Sequence, residues 1–352
     1  MDANNKKIGI IGRVDPQGLM FDGQTVKTRT LWRMLGSRYG FENILVVETF
    51  DYKKHPLRVM NAYRKCLTQC NDIIVLLSHN GRRLFFPLLK KQAERNNKRI
   101  YHDLIGCSLA RDVCREPYLA SQLKSFKVNW IESPNLVKEL ADLGIHNCKY
   151  LPNFKQIEPI SACELSFPQK QPRCLCTFSR VTKQKGIIEA IEAVELLSRR
   201  DGKNSWSLDI YGPIDSAFQD TFFNILNSAS CVQYCGSVNP EDSVSIIKKY
   251  WALLFPTKYE TEGFPGTIID ALSAGVPIVA SRWPYYEDML EDNQTGTSFR
   301  FGGGSKELVE AIDKLLASEG NIMAIKNNCL KRAEEYSASA VFDKIVSEIE
   351  SA

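Results

Sequence analysis

The chain has 352 residues, 44% of them hydrophobic, which fits two or three ordinary folded domains and excludes a disordered or fibrous chain. No apolar run approaches the roughly 18–20 residues that a membrane span requires. The net charge of +4 hides an asymmetry: residues 1–150 carry +11 and residues 151–352 carry −7. The first half is therefore expected to meet something anionic, whether a membrane surface, a phosphorylated acceptor or nucleic acid.

In chain order, strand and helix alternate. The polar N-terminus passes directly into a strand at Lys7–Ile11, with no apolar leader segment. A long loop, 12–23, leads to a helix over Gln24–Leu35. Ile44–Glu48 reads as a strand, His55–Cys70 as a basic helix and Asp72–Leu77 as a fully apolar strand of the kind covered on both faces. A helix at Arg82–Asn96, a strand at Arg99–His102, a strand at Val128–Glu132, a helix near Asn135–Leu143 and a short strand near Lys149–Leu151 complete this half. Residues 156–172 hold prolines without periodicity and read as a linker between a domain at 1–155 and a second at 173–335.

The second half repeats the alternation. Strands are expected at Cys174–Ser179, Ser207–Tyr211, Val232–Tyr234, Ala252–Phe255 and Pro277–Ala280. Helices are expected near Ile187–Arg199, Ala217–Asn227, Asp242–Lys249 and Gly266–Ala274. The tail is helical from Ser305, with breaks at Gly320 and Tyr336–Ser339, and 336–352 forms a last helix. This order predicts an α/β chain of two doubly wound, Rossmann-like domains. The eleven cysteines form no C-x-x-C pair, so scattered thiols in a reducing compartment are expected rather than a metal or redox site.

Chemistry concentrates at the carboxyl ends of the expected strands, where ligands bind in open parallel sheets. Glu262 lies on the loop after Ala252–Phe255, followed by Gly263, Phe264, Pro265 and Gly266 at the start of a helix that carries Asp270. The helix N-terminus favours a phosphate, and ionised carboxylates accept from sugar hydroxyls. A capped core helix after an acidic loop is the plainer alternative. Arg180 and Lys185 flank a loop at the end of the first strand of the second half and suit a diphosphate; a solvated basic turn would look the same. Asp22 and Gly23 open the first long helix, with Lys27 in its second turn, either as a phosphate approach or as an ordinary N-cap. His102 and Asp103 end a strand, and either orient a sugar hydroxyl or serve the core. His79 is a weaker candidate of the same kind. Gly236 and Val238 follow a middle strand and offer backbone to a nucleobase. Two segments, 53–58 and 82–91, interleave Lys and Arg with bulky apolar residues, as a protein lying on an anionic bilayer would.

Glu262-Gly-Phe-Pro-Gly-Thr-Ile-Ile-Asp270, Arg180, Lys185-Gly186, Gly23 and Tyr150-Leu-Pro-Asn153 together resemble the retaining glycosyltransferases of family 4, nearly along the full length. The resemblance implies a GT-B fold, two domains facing a central cleft, with the last helix crossing back to the first domain. It implies a nucleotide-sugar donor, most simply a UDP-sugar, and a glycan or lipid-linked acceptor, as in polysaccharide or cell-surface glycan assembly. Arg180 and Lys185 would hold the donor diphosphate and Glu262 the transferred sugar. The N–H groups of Phe264 to Gly266 would lie near sugar and phosphate, and Asp270 would hold the ribose. Gly23 would approach the phosphate, and His102 would lie near sugar and acceptor, with Asp22, Asp103 and Lys27 on the acceptor side. No metal and no cofactor are expected, and a cytoplasmic, membrane-peripheral location follows. Asp270 stands where Glu is usual and Asp22 where a second glycine is common. A nucleotide-sugar epimerase or hydrolase of the same fold is the enzymatic rival, and a non-catalytic partner of another transferase the binding rival. No nucleic-acid-reading motif is present.

Overall fold

The computed structural model describes residues 6–18, 20, 22–50, 52–166 and 172–351. Part of the expected linker, 167–171, therefore lies outside the described residues. The chain forms two compact units, one of residues 1–156 with 338–352 and one of residues 157–337.

The first unit is a six-stranded parallel sheet in the order β2-β1-β3-β4-β5-β6. Its strands are β1 (Ile8–Gly12), β2 (Ile44–Glu48), β3 (Asp72–Leu76), β4 (Arg99–Asp103), β5 (Val128–Ile131) and β6 (Cys148–Tyr150). The helices that matter here are α1 (Gly23–Tyr39), α2 (Pro56–Gln69), α3 (His79–Asn96), α4 (Leu109–Arg115), α5 (Pro117–Ser125) and α6 (Pro134–Asp142). Every residue of β1 and β3 is buried, because helices cover both faces of a parallel sheet. The short helices α4 and α5 were not foreseen: each is under three turns, and Pro117 starts the second where the first ends. The last helix, α13 (Ala338–Glu350), returns to this unit. Its Val341, Ile345 and Ile349 recur every four residues and are fully buried in the same core as Ile8, Leu31 and Trp130. Lys6 Nζ donates to the Ile349 carbonyl at 2.6 Å, and Lys149 pairs with Glu348 at 2.6 Å.

The second unit has a six-stranded parallel sheet in the order β12-β11-β10-β7-β8-β9. Its strands are β7 (Arg173–Phe178), β8 (Trp206–Tyr211), β9 (Val232–Gly236), β10 (Ala252–Phe255), β11 (Ile278–Ser281) and β12 (Gly296–Phe299). Helices α7 (Ile187–Asp201), α8 (Gln219–Ser228), α9 (Ser243–Ile247), α10 (Gly266–Ser273), α11 (Ser305–Ala317) and α12 (Ile322–Glu334) surround it. The edge strand β12 was missed because its sequence, Gly-Thr-Ser-Phe, lacks apolar alternation; it forms by pairing in register with β11. Residues 157–166 are not a free linker. Ile157 and Ile160 pack on this unit's core, and the Ile160 N–H donates to the Ser273 carbonyl at 2.9 Å. Among the described residues no helix is long and apolar enough to cross a membrane.

Candidate active site

The second unit assembles its site at the carboxyl ends of β7 and β10, which are neighbours in the sheet. After β7 the chain runs through Arg180, takes one 3-10 turn at Lys183–Lys185 and enters α7 at Gly186. Thr182 caps the turn by accepting the Lys185 N–H. Gly186 has φ +71°, and a Cβ there would stand 2.0 Å from the Pro256 carbonyl oxygen. Only glycine allows this approach, which brings Lys185 against the loop that follows β10. The Lys185 ammonium donates to Glu262 Oε2 at 2.5 Å, with both side chains largely shielded from solvent. The same ammonium lies 5.3 Å from the centroid of the Phe255 ring and 5.9 Å from that of Tyr259.

One further hydroxyl fixes the carboxylate, and a second braces the residue that carries the first. Thr257 Oγ1 donates to Glu262 Oε2 at 2.8 Å, and Ser281 Oγ donates to the Thr257 carbonyl at 2.5 Å. Thr257 is fully buried, so its hydroxyl has one geometry. The Lys185 and Thr257 bonds both fall on Oε2, which leaves Oε1 to accept from a ligand. Beyond Glu262, residues Gly263, Phe264 and Pro265 lead into α10, whose first residue is Gly266. No side chain caps this end; the Ile268 N–H bonds to the Pro265 carbonyl at 3.0 Å, and the N–H groups of Gly266 and Thr267 remain available to an anion. Thr267 Oγ1, in the first turn, is buried and has no hydrogen-bond partner among the described residues. Thr257 and Thr267 escaped sequence reading. The signal was a hydroxyl residue directly after the apolar strand and another directly after the helix-starting glycine.

The remaining candidates fall out differently. Arg180 is exposed, and its guanidinium has no hydrogen bond or ion pair among the described residues. Asp270 lies in the middle of α10 and is 3% exposed. Gly236 ends β9 at φ +78° with open space where a Cβ would stand, and half-buried Val238 follows it.

In the first unit, Gly23 opens α1, is exposed, and has nothing within 4 Å of a Cβ position. Asp22 is an N-cap: Oδ1 accepts the Thr25 N–H at 3.2 Å and Oδ2 the Thr25 hydroxyl at 2.7 Å. Three acceptor-side or catalytic expectations are corrected by burial. Lys27 and Asp103 do not face a ligand; they are 3% and 0% exposed and pair at 2.6 Å, with Glu132 on the same ammonium at 2.8 Å. Burial works against the Lys27 charge, but Asp103 and Glu132 outweigh it and raise its pKa. Two carboxylates share one ammonium, and burial pushes Asp103 up. His102 is likewise 0% exposed, edge-on to the rings of Phe86 and Phe126, with Nδ1 3.1 Å from Asn129 Oδ1. Burial, then the nearby Arg82 charge, lower its pKa to about 3. It is a neutral core histidine, the plainer of the two readings open from sequence. His79 is exposed at the start of α3, 3.7 Å from Asp112, which Arg82 holds at 2.8 Å.

Residues 165–335 match the family model described as Glycosyl transferases group 1. A curated relative, the amylovoran biosynthesis glycosyltransferase AmsK of Erwinia amylovora, is 24% identical over 130 residues, covering 36% of this chain and 32% of the relative. The chain thus aligns with about a third of that relative's length. Among solved structures, sucrose-phosphate synthase from Thermosynechococcus elongatus superposes with a TM-score of 0.76 at 14% identity, covering 98% of each chain. Anabaena Alr3699/HepE in complex with UDP gives 0.73 at 13% identity, covering 99% of this chain and 100% of that one. The two Rossmann-like units thus have the fold of GT-B-like proteins. Residues 165–335 of this chain are, on that match, similar to the glycosyl transferases group 1 family.

Proposed function

We propose that the protein transfers a sugar from a nucleoside diphosphate, UDP in the first instance, to a hydroxyl of a glycan or lipid-linked acceptor, with retention at the anomeric carbon. The observation that carries this reading is the Lys185–Glu262 pair beside the uncapped start of α10. A cation, a carboxylate with one free oxygen and a set of open N–H groups meet there, as a sugar diphosphate needs. The acceptor oxygen forms its bond to the anomeric carbon while the bond to the β-phosphate oxygen breaks. The acceptor proton passes to a phosphate oxygen on the same face, and the nucleoside diphosphate departs. Lys185 and Arg180 stabilise the leaving charge, Glu262 holds the transferred sugar, and Asp270 reaches the ribose after local rearrangement or through water. The charge set makes a metal unnecessary, so turnover is expected to survive EDTA. Polysaccharide or cell-surface glycan assembly, on the cytoplasmic side, is the setting; support comes from AmsK and from eleven free thiols.

The test is a thermal-shift series with nucleotides and nucleotide sugars, followed by product analysis by NMR. UDP is expected to raise the unfolding temperature of the wild type. Lys185→Ala is expected to weaken that shift and to lower turnover about 10²- to 10³-fold. Free sugar as the product with and without acceptor would instead assign a hydrolase. An anomer of inverted configuration would overturn retention.

A further inference from the structure

Helices α2 and α3 are neighbours in the first unit, with the Tyr63 and Phe85 ring centroids 5.9 Å apart. Each buries one stripe: Val59, Tyr63 and Cys66 on α2, and Phe85, Phe86 and Leu89 on α3. Each also presents large aliphatic side chains on the opposite side. Leu57 is 79% exposed, Met60 44%, Leu84 45% and Leu88 40%. At 100° per residue, Met60 lies on the Tyr63 flank of α2 and Leu88 on the Phe85 flank of α3, so the exposed residues converge on the seam between the helices. The other flank of α3 is occupied by α5, through Lys90 to Ser121 at 3.0 Å and Lys90 over the Tyr118 ring.

The charge on these two helices and beside them is mostly positive. Residues 52–71 contain Lys53, Lys54, Arg58, Arg64 and Lys65 and no Asp or Glu. Arg83, Lys91 and Arg95 add exposed cations on α3, against the single acidic Glu94. Exposed apolar side chains on basic helices suit insertion among acyl chains with Lys and Arg on headgroups. We propose that the α2–α3 seam docks this unit on an anionic bilayer. Both helices begin at the carboxyl edge of the sheet, and Phe50, just past β2, is 42% exposed at that edge. The docked unit therefore holds its ligand-facing edge close to the lipid surface. The membrane contact stands by itself; only the corollary, a lipid-linked acceptor, rests on the transferase reading.

The experiment is co-sedimentation of the full-length protein with vesicles of phosphatidylcholine alone or with one third phosphatidylglycerol. Two variants accompany the wild type: L57D/L84D and R58E/R64E/K65E. Circular dichroism checks the fold, the UDP thermal shift checks the second unit, and light scattering checks size. The wild type is expected to bind only the anionic vesicles and to be released in part by 0.5 M NaCl. Each variant is expected to lose roughly a hundredfold in partitioning with the UDP shift intact. Wild type that stays in the supernatant, or variants that bind equally, would overturn the proposal. So would a loss of self-association in L57D/L84D without any change on vesicles, which would assign the seam to a second copy. Loss of the UDP shift in the wild type would refute the transferase reading and leave the membrane result standing.

Discussion

Thr257 shows how a residue outside any motif comes to control one inside it. Its hydroxyl and the Lys185 ammonium both bind Glu262 Oε2, so the carboxylate cannot rotate freely. Thr257→Val keeps the shape and removes the donor. It is expected to lower kcat tenfold or more, the worth of a hydrogen bond to a charged group, with little change in donor KM. Thr257→Ser is expected to restore most of the rate. A loss in Thr257→Ser with Thr257→Val unimpaired would mean that the methyl group's packing matters and the hydroxyl does not. Lys185 and Glu262 were legible in the sequence because a basic loop and an acidic loop each followed an apolar strand. Lys27, Asp103 and His102 carried equally suggestive chemistry, but the fold spends them internally. Whether a polar side chain at a strand end points outward depends on which helix covers it, and no local pattern encodes that.

At the scale of elements, the register between α7 and the loop after β10 depends on one backbone contact. Gly186 occupies a left-handed conformation against the Pro256 carbonyl, and Gly212, at φ +129°, sits 1.9 Å at its Cβ position from the Ser179 carbonyl. Gly186→Ala adds conformational strain of about 1–3 kcal/mol before the steric conflict is counted. It is expected to lower the unfolding temperature of the second unit and to weaken UDP stabilisation by moving Lys185 away from Glu262. An alanine variant with unchanged melting and unchanged nucleotide response would refute that account. The long helices and apolar strands were readable from period and composition. The short pieces α4, α5 and β12 were not, since their stability comes from neighbours rather than from their own sequences.

For the first unit as a whole, the buried histidine sets a pH response. His102 stays neutral in the fold, with its pKa lowered to about 3, while in the unfolded chain it titrates at its ordinary value of 6.5. The unfolded chain therefore takes up a proton first as pH falls. The stability that His102 contributes is complete above pH 6.5 and declines below it. At pH 5 the loss is roughly 2 kcal/mol. Asp103, with its pKa raised by burial, acts in the opposite sense, so a His102 variant is needed to isolate the histidine's share between pH 6.5 and 5. Amide exchange in β4 is expected to quicken as pH falls through this range, after correction for intrinsic rates, and His102→Asn to flatten the dependence. An unaltered dependence in that variant would assign the effect elsewhere.

The sequence by itself determined the alternation of strand and helix, the two Rossmann-like units, the basic character of the first and the loops that carry Lys185 and Glu262. These are local properties, written in periodicity, glycine placement and charge over a few residues. Only the tertiary structure decided that Lys185 meets Glu262, that Thr257 holds the carboxylate and that His102, Asp103 and Lys27 are sealed in the core. It also decided that residues 157–166 belong to the second unit, and that Leu57, Met60, Leu84 and Leu88 share one exposed seam. Those outcomes join residues distant in the chain or depend on which surface a neighbouring element covers. Contact and burial are fixed by the packing of the whole unit, and no window of the sequence contains it.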